Sequence, residues 1–86
     1  MPETLKLNDG SVLDGSVLRS GDLFLYITDA DLQTVFNLLI DPEKTKKITY
    51  TQVNGEKQIF TGYKRLIAVR DEDNGLITAV LRKEET

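Results

Sequence analysis

The chain contains no cysteine, no histidine and no tryptophan, and its single methionine is residue 1. Without cysteine it has no disulfide, no thiol nucleophile, no cysteine-ligated zinc and no iron–sulfur cluster. Without histidine it lacks the commonest general base and the commonest transition-metal ligand. Since no nucleotide-binding or catalytic motif replaces them, we expect no catalytic site, no cofactor and no metal.

Long apolar runs are also missing. Apolar runs such as 23–27 and 38–40 fall far short of the roughly 20 residues that a membrane-spanning helix needs. Residues 1–4 show neither the basic region nor the apolar region of a signal peptide. We therefore expect no membrane association and a product that is not independently secreted.

Basic residues are fewer than acidic residues. The chain has 11 basic and 14 acidic residues, for a net charge of −3. This balance argues against nucleic-acid binding, because proteins that bind nucleic acids usually present a strongly basic face. Lys44, Lys46 and Lys47 form a short basic cluster, which is typical of solvated side chains that follow a helix.

Turn-forming pairs divide the 86 residues into short segments. Asp9-Gly10, Asn54-Gly55 and Asn74-Gly75 each separate two short runs with strand character, which predicts hairpins. Three strands, one helix and four strands follow in that order. We expect a single α+β domain over 1–86 with a frayed tail at 83–86. Its core is an antiparallel sheet of about six to seven short strands, with one helix packed on one face.

The run 23–27 is the most apolar segment and predicts a central strand that is buried on both faces. A helix over about 30–40 should follow it, capped by Thr28 or Asp29 and ended by Pro42. Its apolar residues recur at i, i+3, i+4 and i+7, which predicts one buried stripe. The stripe comprises Leu32, Val35, Phe36 and Leu39.

The Asn54-Gly55 pair predicts a two-residue hairpin loop. That loop would place Tyr50 opposite Ile59 and Thr49 opposite Phe60.

Aromatic residues in or beside this hairpin are open to three interpretations. Tyr50, Phe60 and Tyr63 could stack on nucleic-acid bases, but the chain lacks the overall basic surface that such modules use. Packing in the core or across strands is the favoured interpretation. An exposed tyrosine would instead be a candidate for protein contact. On that basis the candidate contact residues are Tyr50, Asn54 and Tyr63.

Other polar patterns are better explained by structure than by chemistry. The segment 71–75 has its glycine one position too early for a calcium loop, and Arg82 stands where the bidentate glutamate would be. Asp9, Asp14, Asp22 and Asp29 lie beside turn or cap signals, and nothing in the sequence pairs any two of them. The outer strands could bind another chain through their edges, or be protected from doing so by charged side chains. Those side chains are Lys57, Lys64, Arg70 and Arg82.

Several segments carry a resemblance to a known group of proteins. They are 5–11, 41–45, 60–63, 75–79 and 81–83, together with Leu66. In these segments the chain resembles small uncharacterised proteins encoded in phages and prophages of Gram-positive bacteria, in or beside the tail and baseplate gene module. The resemblance implies an accessory virion or assembly component for some members, and it supplies no catalytic residue.

The resemblance and the missing catalytic apparatus predict a non-enzymatic protein that acts by protein–protein contact. It would be a minor tail or baseplate component or an assembly factor, in the virion or in the cytoplasm of the bacterial host. Its partners would be phage structural proteins or a second copy of the chain, and neither nucleic acid nor membrane. The alternative is a small acidic regulator or inhibitor that binds a host protein. A carbohydrate- or ion-binding hydrolytic module is a third hypothesis.

Overall fold

In the computed structural model, which describes residues 3–84, the chain is an α+β protein with one antiparallel sheet. The elements are β1 (Thr4–Lys6), β2 (Val12–Ser20), β3 (Asp22–Thr28), α1 (Leu32–Leu39), α2 (Pro42–Thr45), β4 (Lys47–Thr51), β5 (Lys57–Thr61), β6 (Arg65–Glu72) and β7 (Leu76–Arg82). The strand order in the sheet is β5-β4-β1-β2-β3-β7-β6. The predicted fold class is confirmed, with three strands before the helical segment and four after it.

A short connection between the two edge strands determines the shape of the sheet. β5 and β6 lie at opposite ends of the strand order, yet only residues 62–64 separate them. From Thr61 to Arg65 the chain can span at most about 14 Å. The outer strands of a flat sheet of this width would lie about 29 Å apart. The sheet therefore curls until its edges approach each other, as in a partly open barrel.

The concave side of the curled sheet forms the core. Leu5 on β1 lies opposite Leu13 on β2 and Tyr50 on β4, and all three side chains are buried. α1 packs against β6 and α2, and its buried residues join the same apolar cluster. The buried hydrophobic residues are Leu5, Leu7, Leu13, Leu23, Leu25, Ile27, Val35, Leu39, Ile48, Tyr50, Tyr63, Ile77, Ala79 and Leu81.

β3 lies inside the sheet, but only one of its sides is buried. Leu23, Leu25 and Ile27 point into the core, whereas Phe24 is half-buried and Tyr26 is exposed. The prediction that this run is buried on both faces is therefore wrong. Curling closes the concave side, and no second layer from residues 3–84 covers the convex side.

α1 begins at a different cap from the one predicted. Asp31 has an extended backbone, and its carboxylate accepts a hydrogen bond from the Thr34 N–H at 2.7 Å, which lowers the pKa of Asp31. Thr28 and Asp29 are not the cap, because Asp29 adopts a left-handed φ of 58° and turns the chain before the helix starts.

The predicted single helix is followed by a second, shorter one. α1 ends at its cap Ile40, in agreement with the prediction from Pro42. Pro42 then occupies the first turn of α2, where the Asp41 carboxylate accepts the Glu43 N–H at 3.0 Å. A capping residue followed by proline favours a helix start, so this sequence signal was present.

Only half of the predicted stripe on α1 reaches the core. Val35 and Leu39 are buried, whereas Leu32 and Phe36 remain partly exposed. A helix of this length extends about 12 Å and meets the curled sheet along one line, so one i, i+4 pair faces inward.

The β4–β5 hairpin differs from its prediction by one residue. Its loop has three residues, 53–55, with Gly55 in a left-handed conformation at φ 89°. Tyr50 therefore lies opposite Gln58, and not opposite Ile59. Three-residue hairpin loops with a left-handed glycine are a common alternative to the two-residue loop.

This shift reverses the two sides of β5. Phe60 lies opposite Ile48, not Thr49, and packs against the core. Ile59 lies opposite Thr49 and faces outward. A one-residue change of register moves every side chain of a strand to the other face.

Gly15 marks a close approach between β2 and β3. A Cβ atom at this position would overlap the carbonyl oxygen of Tyr26. We expect Gly15→Ala to destabilise the fold by about 3 kcal/mol, because the backbone of either strand must move. Gly21→Ala is the control, since its φ of 75° is unfavourable but nothing lies within 4 Å of the added atom; it should cost about 1 kcal/mol. Chemical denaturation measures both, and equal losses would contradict the close approach.

The ion pair between Asp22 and Arg82 joins the start of β3 to the end of β7. Arg82 donates two hydrogen bonds of 3.1 Å to the carboxylate, which holds the pKa of Asp22 below its ordinary value of 3.8. The stabilisation is therefore present above pH 3.8 and is lost as the pH falls through the lower pKa of the folded state. Asp22→Asn should lower the melting temperature at pH 7, and the difference should shrink below pH 3.8. Asp14→Asn, which removes the same charge from an exposed position of β2, is the control for net charge.

Candidate protein-contact surface

The three predicted contact residues occupy two different environments. Tyr50 and Tyr63 are only 6% and 5% exposed, whereas Asn54 is exposed in the loop of the β4–β5 hairpin. Both tyrosines face the concave core, in agreement with the favoured interpretation that they pack there, so neither offers an exposed ring to a partner. Whether Asn54 touches a partner stays a prediction.

The hydroxyl group of Tyr50 lies at the edge of the core. Its hydroxyl donates a hydrogen bond to the Glu3 carboxylate, across the β1–β4 pairing. The ring is buried beside Leu5, its cross-strand neighbour on β1. An aromatic body in the core with a bonded hydroxyl at the rim is the ordinary arrangement of a buried tyrosine.

Tyr63 lies in the connection between the edge strands β5 and β6, where the two edges of the curled sheet approach each other. Its ring lies edge-on to Phe60 with centroids 6.4 Å apart, and the Lys83 ammonium is 5.9 Å from the ring centroid. The neighbouring Gly62 donates to the Lys46 carbonyl and accepts the Glu84 N–H, both at 3.0 Å. This cluster joins the ends of β4, β5 and β7, so its role in the structure is architectural.

The predicted tail at 83–86 is partly attached through this cluster. Lys83 and Glu84 make the two contacts just described. Residues 85 and 86 lie outside the described range.

The four scattered aspartates separate into three environments. Asp9 caps its turn, where the Ser11 N–H and hydroxyl donate to its carboxylate and lower its pKa. Asp22 is paired with Arg82. Asp14 and Asp29, which nothing in the sequence pairs, line the same open cavity of about 360 Å³. Sequence reasoning missed this proximity because it depends on the β2–β3 register.

No cluster suited to metal binding stands out among residues 3–84: no three or more potential ligands are placed to hold an ion. The segment 71–75, predicted to be a hairpin turn throughout, contains the last two residues of β6 and the turn 73–75 into β7. Its Asn74 and Gly75 both take left-handed backbone angles, which suits a tight hairpin.

A row of apolar side chains crosses the convex face. Leu18 on β2 lies opposite Phe24 on β3, Phe24 lies opposite Val80 on β7, and Val80 lies opposite Ala68 on β6. We call these four residues the apolar row. Leu18 is 55% exposed and Ala68 is exposed, while the two middle side chains are half-buried.

The apolar row has the composition of an interaction surface. Tyr26 lies beside it on β3, and the Asp22–Arg82 pair and Arg70 give it polar neighbours on the same face. Protein interfaces commonly combine an apolar centre with a polar rim. Sequence reasoning missed the row because its members come from four strands, and only their register brings them together.

The predicted edge charges are divided between edge and interior strands. Lys57 and Arg70 lie on the edge strands β5 and β6, and Lys64 lies in the connection between them. Arg82 lies on the interior strand β7 and is paired with Asp22, so it does not protect an edge.

None of the helices in residues 3–84 has the length and apolar character required to cross a membrane. Comparison with known proteins finds no matching family model, no matching curated protein and no matching solved structure.

The burial of Tyr63 predicts a large effect on stability. Tyr63→Ala removes its contact with Phe60 and opens the core, so it should cost about 3–5 kcal/mol. Asn54→Ala is the control on the exposed loop. It removes only the hydrogen bond that the Asn54 side chain accepts from the Glu56 N–H at 2.9 Å, and should cost about 1 kcal/mol. Urea denaturation of the two variants measures this, and a small effect at Tyr63 would contradict its assignment to the core.

Proposed function

We propose that the chain is a non-enzymatic phage or prophage protein that acts by protein–protein contact, as a minor tail or baseplate component or an assembly factor. The apolar row on the convex face is the observation that carries the contact role. The resemblance of segments such as 5–11 and 75–79 to phage and prophage proteins supports the phage assignment. The protein would then act in the virion or in the cytoplasm of the bacterial host.

The apolar row supports this role because it exposes apolar surface that the fold itself leaves uncovered. Covering such surface contributes about 25 cal/mol per Å². The apolar row spans four neighbouring strands, and the sheet holds these strands rigid. Binding a partner therefore costs this surface little conformational entropy. Leu18, the most exposed member that has a large side chain, is the position to test.

Leu18→Asp tests the contact role, with Val12→Asp as its matched control. Both residues lie on the outward face of β2 and are 55% and 58% exposed, but Val12 lies at the other end of the strand. We expect both variants to fold like the wild type. Leu18→Asp should lose the partner because burying an unpaired carboxylate is unfavourable, and Val12→Asp should keep it.

The measurement is made in the phage or lysogen that encodes the chain. A virion component would be supported if mass spectrometry detects the wild type and Val12→Asp in purified particles but does not detect Leu18→Asp. Copies absent from particles but bound to phage proteins in infected cells would support an assembly factor. Binding to a host protein alone would favour the acidic regulator instead. A gene whose neighbours include no tail or baseplate genes, with a product that binds no phage protein, would contradict the proposal.

A further inference from the structure

A second feature of the convex face is a basic surface on its other half. The outward side chains of β1, β4 and β5 are three lysines, four threonines and one isoleucine, and none of them is a carboxylate. We call this surface the lysine face. Its members are Lys6, Lys47, Lys57, Thr4, Thr49, Thr51, Thr61 and Ile59.

The three lysines surround Thr49. Lys6 lies directly opposite it on β1, Lys47 is two residues before it on β4, and Lys57 lies opposite Thr51 on β5. Lys6 and Lys47 are therefore diagonal neighbours, about 7–8 Å apart at their Cα atoms. They line a shallow hollow of about 170 Å³ together with Leu7, Asn8 and Thr49.

Edge protection does not explain this arrangement. Lysines often protect the outer strands of sheets, and Lys57 on the edge strand β5 fits that role. Lys6 and Lys47 lie on the interior strands β1 and β4, where no edge needs protection. Among residues 3–84, the ion pairs use Lys46, Arg70 and Arg82, so no lysine of the lysine face is in one.

The same chain carries an acidic projection at a different place. Asp71 and Glu72 end β6 and Asp73 begins the turn into β7. Thr28 lies opposite Leu76 at this end of the sheet, which brings Asp29 to the same end. Both Asp71 and Asp73 are exposed at this end of the sheet.

We propose that the lysine face binds the acidic β6–β7 turn of a second copy of this chain. Charge complementarity within one sequence favours this occupant, because the face carries three lysines and the turn carries the exposed carboxylates of Asp71 and Asp73. Glu72 is paired with Arg70 in its own chain. The two surfaces differ, so the contact is head-to-tail and forms a ring or an open chain of copies. This contact is separate from the apolar row, and either can be absent without the other.

The proposed contact is electrostatic and exposed, so it depends on salt. Surface ion pairs contribute about 0.2–1 kcal/mol each, and the Debye length falls from about 30 Å at 0.01 M to about 3 Å at 1 M ionic strength. Sedimentation velocity on concentrated wild-type protein should show association at the lower ionic strength and monomer at the higher one. Reversing two charges on either surface should weaken association at least about tenfold.

A charge exchange between the two surfaces is the decisive test. The double variant Lys6→Glu, Lys47→Glu should be monomeric when it is measured by itself. The double variant Asp71→Lys, Asp73→Lys should be monomeric as well. An equimolar mixture of the two variants should associate again. The reversed face of the first variant fits the reversed turn of the second, and the unchanged turn of the first fits the unchanged lysine face of the second. Arg19→Glu with Arg65→Glu is the matched control, since it changes the net charge equally at exposed positions outside the lysine face. Circular dichroism confirms that each variant is folded.

Three results would overturn the proposal. They are a wild type that is monomeric at both ionic strengths, a control variant that dissociates as fully as the lysine variant, and a mixture that stays monomeric. Titration with a DNA duplex then identifies the other class of occupant, because binding that requires Lys6 and Lys47 would assign the face to nucleic acid.

Discussion

The three-residue connection between β5 and β6 is the constraint on which the rest of the structure depends. It joins the two outermost strands of the sheet, so the sheet cannot be flat. Curling converts one side into a closed core without help from a large helical layer. This explains how residues 3–84, with two short helices among them, bury a continuous apolar cluster. The contacts of Gly62 and Tyr63 hold the connection in place.

The same constraint makes the two sides of the sheet unequal. The concave side is filled by side chains from every part of the chain, whereas the convex side faces solvent and is free to carry polar or apolar residues. Its two halves differ in chemistry: β2, β3, β7 and β6 carry the apolar row, and β1, β4 and β5 carry the lysine face. This convex side is the extended surface that the proposed contact function would use.

The length of the β4–β5 loop determines which side chains of β5 lie on the convex side. A three-residue loop at 53–55 directs Phe60 to the core and Lys57 and Ile59 outward. With a two-residue loop, each of these three side chains would lie on the opposite side of the sheet. Lys57 would then leave the lysine face, and Tyr63 would lose its aromatic contact with Phe60. The sequence signal at Asn54-Gly55 located the hairpin correctly but did not distinguish these loop lengths, because both use glycine in a left-handed conformation.

Sequence alone determined the features that depend on a few neighbouring residues. These include the fold class, the strand count on each side of the helical segment, the hairpin at Asp9-Gly10 and the helix that ends before Pro42. Each follows from backbone preferences and hydrogen bonds that act within one turn of chain. The Asp31 cap and α2 were also signalled locally, by an aspartate before a helical segment and by Asp41-Pro42, although the prediction missed both.

Tertiary structure alone decided which side of each strand is buried and which residues share a surface. The burial of Tyr50 and Tyr63, the exposure of Tyr26 and the assembly of the apolar row all depend on pairings between distant segments. Those pairings are set by the strand order, and the strand order is set by how the curled sheet closes on itself. Alternation along a strand shows that its two sides differ, but it does not show which side the closure will cover.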